Sequence, residues 1–198
     1  MQTASPSLLP IFRSRSLARI LAHLFLHEDE RFSLSALARR LGIAPSTVHR
    51  EIDQLERAGI VASERWGNLR LVRANPESPY FRDLQLLLLT AFGPLPVLGE
   101  LLREIAEIKH AYIFGSWASR YLDQAGPPAA DIDVLIVGDP DPEQVDAACA
   151  EAGERLGREV NAMMVSDKSW REGSTGFIRT VRSRPLVEIL IEREPAIA

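Results

Sequence analysis

The sequence predicts two domains: a small α+β domain, then a small α/β domain with a mixed sheet. Three observations carry this. Apolar residues recur at helical spacing from Leu17 to Ala58 and switch to period two after Gly59. Pro76 and Pro79 then break the pattern. Beyond them, apolar runs of strand length alternate with amphipathic helices. The 198 residues suit one large or two small domains. The expected boundaries are 1–75 for the first domain, 76–96 for a linker helix and 97–198 for the second domain.

Charge divides the same way. Residues 1–75 hold 11 Lys+Arg against 7 Asp+Glu, and the remainder holds 12 against 20, so +4 and −8 give the overall −4. A basic part joined to an acidic part suggests two tasks. The single cysteine, Cys149, excludes an internal disulfide and reads as a small core residue. Leu84 to Leu89 is too short for a membrane span, and no stretch of about 18 apolar residues is expected. Arg13, Arg15 and Arg19 lie near apolar residues without a small-residue cleavage site after them. The expectation is a cytoplasmic protein with no membrane association.

In the first domain, Leu17, Ile20, Leu21, Leu24 and Phe25 make a helix over 16–26. Ser33 caps a second helix that Gly42 stops. A third helix starts at Pro45 or Ser46, turns Val48, Ile52 and Leu55 inward and ends at Gly59. Two short helices around a tight turn form a helix-turn-helix. Gly67-Asn68, between alternating runs, reads as a hairpin turn. The third helix exposes Ser46, Thr47, His49, Arg50 and Gln54, types that reach base edges and phosphates of double-stranded DNA. Arg65 and Arg70 flank the hairpin tip and could grip backbone phosphate or a minor groove, and Arg39 and Arg40 lie on the second helix, where phosphate contact is common. The same arginines also suit a solvated surface on a protein-binding module.

The layout LSALARRLGIAPSTVHREIDQLERAGIV, followed by the hairpin, resembles the winged helix of ArsR-type and MarR-type bacterial regulators over roughly residues 12–75. The resemblance implies DNA binding and a homodimer on two half-sites.

After the prolines, Phe81, Leu84, Leu87, Leu88 and Ala91 make a helical stripe suited to a connector or a dimer interface. A further helix is expected over 96–108, then strands over 110–114 and 132–137, a helix over 143–156, a strand over 158–165, a short helix over 175–182 and a last strand over 186–191. Arg179, Arg182 and Arg184 suit either a solvated helix face or a phosphate-holding cluster.

The chemistry of the second domain centres on residues 112–137. Asp131 and Asp133 alternate with apolar residues in a strand, so both carboxylates leave one face, about 7 Å apart at Cα. Two hard oxygen donors on a rigid strand suit Mg²⁺, which takes one or two carboxylates plus substrate phosphates. Upstream, Gly115 allows a tight turn and Ser116 opens a helix whose backbone N–H groups and hydroxyl suit phosphate.

Gly115-Ser116 followed by Asp131-x-Asp133 resembles the polymerase-beta-like nucleotidyltransferases, and Trp117-Ala118-Ser119-Arg120 resembles their small bacterial members. The fourteen residues between Ser116 and Asp131, with Gly126-Pro127-Pro128, read as an enlarged loop. The resemblance implies an Mg–nucleoside triphosphate (NTP) ligand, with Asp131 and Asp133 at the metal and Gly115, Ser116 and Arg120 at the phosphates. The family places a third carboxylate on the neighbouring strand, where this chain has Asn161, with Glu159 on the same face two residues earlier. Asn161 offers a carbonyl oxygen but no charge and no general base.

Two functions stay open. One is a DNA-binding regulator whose second domain binds or senses Mg–NTP. The other is an active nucleotidyltransferase, antitoxin-like toward a protein partner or acting on a small molecule, with the winged helix for targeting or autoregulation.

Overall fold

A computed structural model describes residues 12–122 and 129–191. The chain divides into two compact units, Met1–Gly93 and Pro94–Ala198. The expected enlarged loop with Gly126-Pro127-Pro128 lies outside the described residues.

In the first unit, Ser14 caps α1 (Arg15–Leu26) by accepting a hydrogen bond from the Leu17 amide. β1 (Phe32–Ser33) follows, and Ser33 then caps α2 (Leu34–Leu41) through the Ala36 amide. Gly42 ends α2 in the left-handed conformation at φ 59°, which a Cβ would strain. α3 (Pro45–Arg57) starts on Pro45, whose missing N–H would have had no partner in the first turn. β2 (Val61–Trp66) and β3 (Leu69–Ala74) form the hairpin, and β1 adds to β3 to give an antiparallel sheet ordered β1-β3-β2. Two residues connect the hairpin, with Gly67 at φ 58°, a positive angle of the kind that short hairpin turns need. Ile20, Leu24, Phe25, Leu37, Val48, Ile52 and Val72 meet in one apolar core.

α4 (Phe81–Phe92), expected as a linker helix, belongs to this unit. Leu88 enters the same core, with Phe81, Leu84 and Phe92 against it. Phe81 stacks at 5.4 Å on Phe25, and Gln85 donates to Glu28 at 2.6 Å. Burial of an apolar stripe on α1, not sequence separation, sets the boundary.

The second unit begins with α5 (Pro94–Arg103). The expected helix over 96–108 ends five residues early. Glu107 turns the chain at φ 61°, and Ile108 opens β4 (Ile108–Phe114) opposite Gly138. Ile105 and Ile108 are buried, as the helical pattern required, yet outside a helix. α6 (Gly115–Tyr121), β5 (Asp131–Gly138), α7 (Pro142–Leu156) and β6 (Glu159–Val165) follow. α8 (Asp167–Glu172), α9 (Gly176–Arg182) and β7 (Val187–Glu188) complete the described part. The sheet is mixed, ordered β6-β5-β4-β7, with only β5 and β6 parallel.

β5 is central and buried on both faces. Leu135 and Val137 pack with Trp170, Ile178 and Val181 of α8 and α9. By alternation Ile132, Val134 and Ile136 point to the opposite face and are fully buried. Cys149 is buried on α7, and burial, with Asp146 nearby, pushes its thiol up to about 11.

Phe81–Arg103 covers 23 residues at mean hydropathy 1.5, so by length and composition it could span a bilayer. Here the stretch is two helices, α4 and α5, separated at Gly93 and placed in different compact units.

Candidate functional site

The helix-turn-helix arises from burial on one side of α3. Val48, Ile52 and Leu55 are buried, which turns Ser46, His49, Arg50 and Asp53 outward. Thr47 is half-buried. Glu51 is the exception on the inner side: it is 2% exposed and carries a carboxylate. Arg13 pairs with it, and Arg50 reaches it at 3.3 Å. Arg13 also donates to Gln54 at 2.5 Å, so Gln54 is engaged within the fold.

The two hairpin arginines separate. Arg65 is exposed at the tip. Arg70 instead bridges the hairpin to α3, with nitrogens 2.6 Å from Asp53 and 2.5 Å from Glu56. Those bonds hold its guanidinium charged more firmly than in water, the Asp53 hydrogen bond contributing most. Ser63 also donates to Glu56. The expectation that Arg70 grips DNA meets a local obstacle: its charge is neutralised by two carboxylates of its own fold. A linear reading could not find this, because Asp53 and Arg70 are seventeen residues apart.

His23 was not singled out in the sequence, yet it lies buried on the inner side of α1. Its ring stands 4.4 Å from His27 and 4.7 Å from Phe32, and its Nε2 has no hydrogen-bond partner. Burial, then His27 and Arg40, push its pKa down to about 3.

In the second unit, the acidic pair and the glycine turn do come together. Asp133 pairs with Phe114 across β4–β5, directly before Gly115. Gly115 sits at φ 73°, and a Cβ built there would overlap the Asp133 carboxylate. Only glycine satisfies both the left-handed angle and the contact. Asp131 and Asp133 lie on the face of β5 that carries Leu135 and Val137, and both are half-buried. Burial and the Asp131 charge push the Asp133 carboxyl above the ordinary range. Ser119 donates to the Gly115 carbonyl at 3.1 Å and steadies the turn. Ser116 and Arg120 follow on α6.

The parallel β5–β6 register sets Asn161 beside Asp133 and Glu159 beside Asp131. Asn161 lies 3.5 Å from Asp131 through its amide nitrogen, while Glu159 is exposed. Among the described residues, no group of three or more His, Cys, Asp or Glu gathers to hold a metal ion. The donor set beside the Gly115 turn is thus two carboxylates, Asp131 and Asp133, with no third acid among the described residues. Of the α9 arginines, Arg182 lies 4.4 Å over the Trp170 ring and donates to the Trp170 carbonyl, so it serves packing.

Taken together, the first unit is a winged helix-turn-helix and the second an α/β unit with a mixed sheet. Residues 15–64 match the family described as "Helix-turn-helix domain". Among solved structures, reduced HlyU from Vibrio cholerae is similar at 21% identity and TM-score 0.36, over 44% of this chain and 86% of that one. The transcriptional regulator BldR from Sulfolobus solfataricus is similar at 21% identity and TM-score 0.37, over 50% of this chain and 68% of that one. A Lactococcus lactis ZitR mutant gives 17% identity and TM-score 0.33, over 39% and 51%. No curated protein matches the chain.

Proposed function

We propose that this protein is a DNA-binding transcriptional regulator whose second unit binds an Mg–NTP ligand. The outward row Ser46, His49 and Arg50 on α3, locked by its buried opposite side, carries the DNA reading. A helix so presented places short polar and cationic side chains toward base edges and phosphates. The match of residues 15–64 to a helix-turn-helix family supports it. The full chain should bind duplex DNA with an affinity that falls steeply with salt. Replacing Arg50 with Ala should lower the log–log salt slope by about one unit. A flat salt response of the parent protein removes the reading. Homodimerisation on two half-sites belongs to the same proposal, and equilibrium sedimentation with and without DNA tests it.

The nucleotide reading rests on Gly115 lying against the Asp133 carboxylate. Asp131 and Asp133 would hold Mg²⁺; the turn at Gly115 and Ser116, with Arg120, would take the phosphates. When bound, the cation supplies charge neutralisation for the triphosphate and polarises its phosphorus–oxygen bonds. Burial and the neighbouring Asp131 charge raise the Asp133 carboxyl above its ordinary range, and a cation at the two acids would relieve that repulsion. Binding of labelled ATP with Mg²⁺ should vanish in the Asp131→Ala, Asp133→Ala double variant; equal binding ends the reading.

Nucleotidyl transfer to a protein or small-molecule acceptor is the alternative, and the paired acids favour it. Asn161 speaks against it, since an amide beside Asp133 can neither take a proton nor add charge. Pyrophosphate release by the parent, absent in the double variant, would establish transfer; binding without release would leave a sensor.

A further inference from the structure

β6 is an open edge of the second unit's sheet. It lies outermost in the order β6-β5-β4-β7 and pairs, among the described residues, only with β5. β7 blunts the other edge by being two residues long, whereas β6 runs for seven, from Glu159 to Val165. The register of β6 on β5 is unbroken, so no bulge twists the edge away. Neither lysine, arginine nor proline stands in the strand, and its one charge is Glu159 at the first position. Proteins normally guard an edge with one of those devices, because its outward N–H and C=O groups are a template for another strand. Alternation sends Met163 to the face of Leu135 and Met164 to the face of Ile136. Both are open to solvent, at 44% and 40%. Exposure on both faces at neighbouring positions marks a strand end that neither layer of helices covers.

We infer that β6 is a seam between two copies of this chain: it adds antiparallel to the same strand of a second copy and joins two sheets into one. The sequence of the strand selects the partner and the register. A two-fold pair centred on Ala162 uses all seven residues. It sets Glu159 opposite Val165, Val160 opposite Met164 and Asn161 opposite Met163. No charge then faces a charge of its own sign, and the small alanine lies on the axis. Centring the pair on Met163 would set Glu159 opposite Asp167, a repulsive contact. Centring it on Asn161 would leave Met164 and Val165 outside the pairing. In the favoured register each Asn161 lies diagonal to the same residue of the other copy, about 7–8 Å away. Two amides tolerate that placement, whereas two carboxylates would repel. The exposed methionines are unbranched and adaptable, so they close over the seam on both faces. The seam is independent of the DNA and nucleotide readings, since it uses neither α3 nor the Asp131 and Asp133 carboxylates.

The experiment uses the full chain without DNA or nucleotide, at about 1 to 100 µM, since one strand pair is small beside the roughly 1,600 Å² of a standard interface. Equilibrium sedimentation should show self-association over that range. Amide hydrogen exchange over residues 159–165 should slow as concentration rises, because the outward amides gain partners. The Met163→Lys, Met164→Lys double variant should weaken self-association about tenfold or more and remove the concentration dependence of exchange. Both side chains are in solvent, so the variant folds, which circular dichroism checks. Cysteine cross-linking tests the register. Ala162→Cys should link to its own copy under mild oxidation, because directly opposite Cβ atoms lie about 4.5–5.5 Å apart. Glu159→Cys should not, because six residues of offset separate it from its own copy by about 20 Å. Exchange over 159–165 that ignores concentration overturns the seam even if the chain associates, since pairing through another surface leaves these amides untouched. Equal cross-linking at both positions, or at neither, overturns it too, as does a parent protein that stays monomeric throughout. An extended peptide that slows this exchange in such a monomer would give the edge to a foreign partner instead.

Discussion

His23 illustrates how a single residue is governed by its surroundings. Its pKa, pushed down to about 3, lies below the free value of 6.5, so folding favours the neutral ring. The stability this secures is complete above pH 6.5 and declines as pH falls toward 3, because the unfolded chain then binds the extra proton. The slope is bounded by one proton, about 1.4 kcal/mol per pH unit. Urea melts of the first unit at pH 7 and pH 5 should differ accordingly, and His23→Gln should flatten the difference. Equal pH dependence in that variant would contradict the assignment. Asp133 behaves in the reverse sense. Its raised pKa means that its ionised carboxylate works against folding at neutral pH. Asp133→Asn should therefore raise the melting temperature of the metal-free protein while removing nucleotide binding. A lower melting temperature would show that the carboxylate is structural.

Among the elements, the hairpin and α3 act as one. Arg70 joins them through Asp53 and Glu56 with its side chain 26% exposed, so Arg70→Ala should destabilise the first unit by about 1 kcal/mol. It should leave the DNA salt slope unchanged, unlike Arg50→Ala; a slope reduced by one unit would return Arg70 to the DNA surface. Most elements were legible in the sequence because their signals are local. Ser33, Gly42 and Pro45 mark helix ends, and Gly67-Asn68 marks the turn. The Asp131-x-Asp133 pair was legible because alternation in a strand fixes its geometry. What was not legible depends on partners distant in sequence. The early end of α5 follows from Ile108 pairing with Gly138. β1 exists only because Phe32 finds Val72. The clamp on Arg70 and the neighbour of Asp133 on β6 are likewise tertiary facts.

The chain divides into two compact units, and the place of their division is testable. A fragment of residues 1–93 should melt in one sharp transition, since α4 closes the core with Leu88, Phe81 and Phe92. A fragment ending at residue 75 loses those side chains and should unfold at markedly lower temperature, consistent with a penalty of about 2–5 kcal/mol for emptying one large core position. Equal melting of the two fragments would show that α4 is only a tether.

The lone thiol of this chain has a practical bearing. Cys149 is buried in the second unit, and burial pushes its thiol up to about 11, so thiol-directed reagents should react with it slowly on the native protein. A probe can therefore be attached at one chosen surface site, such as Asn68→Cys, with the natural residue left in place. Paired with a labelled duplex, that probe would report whether the hairpin tip comes close to DNA.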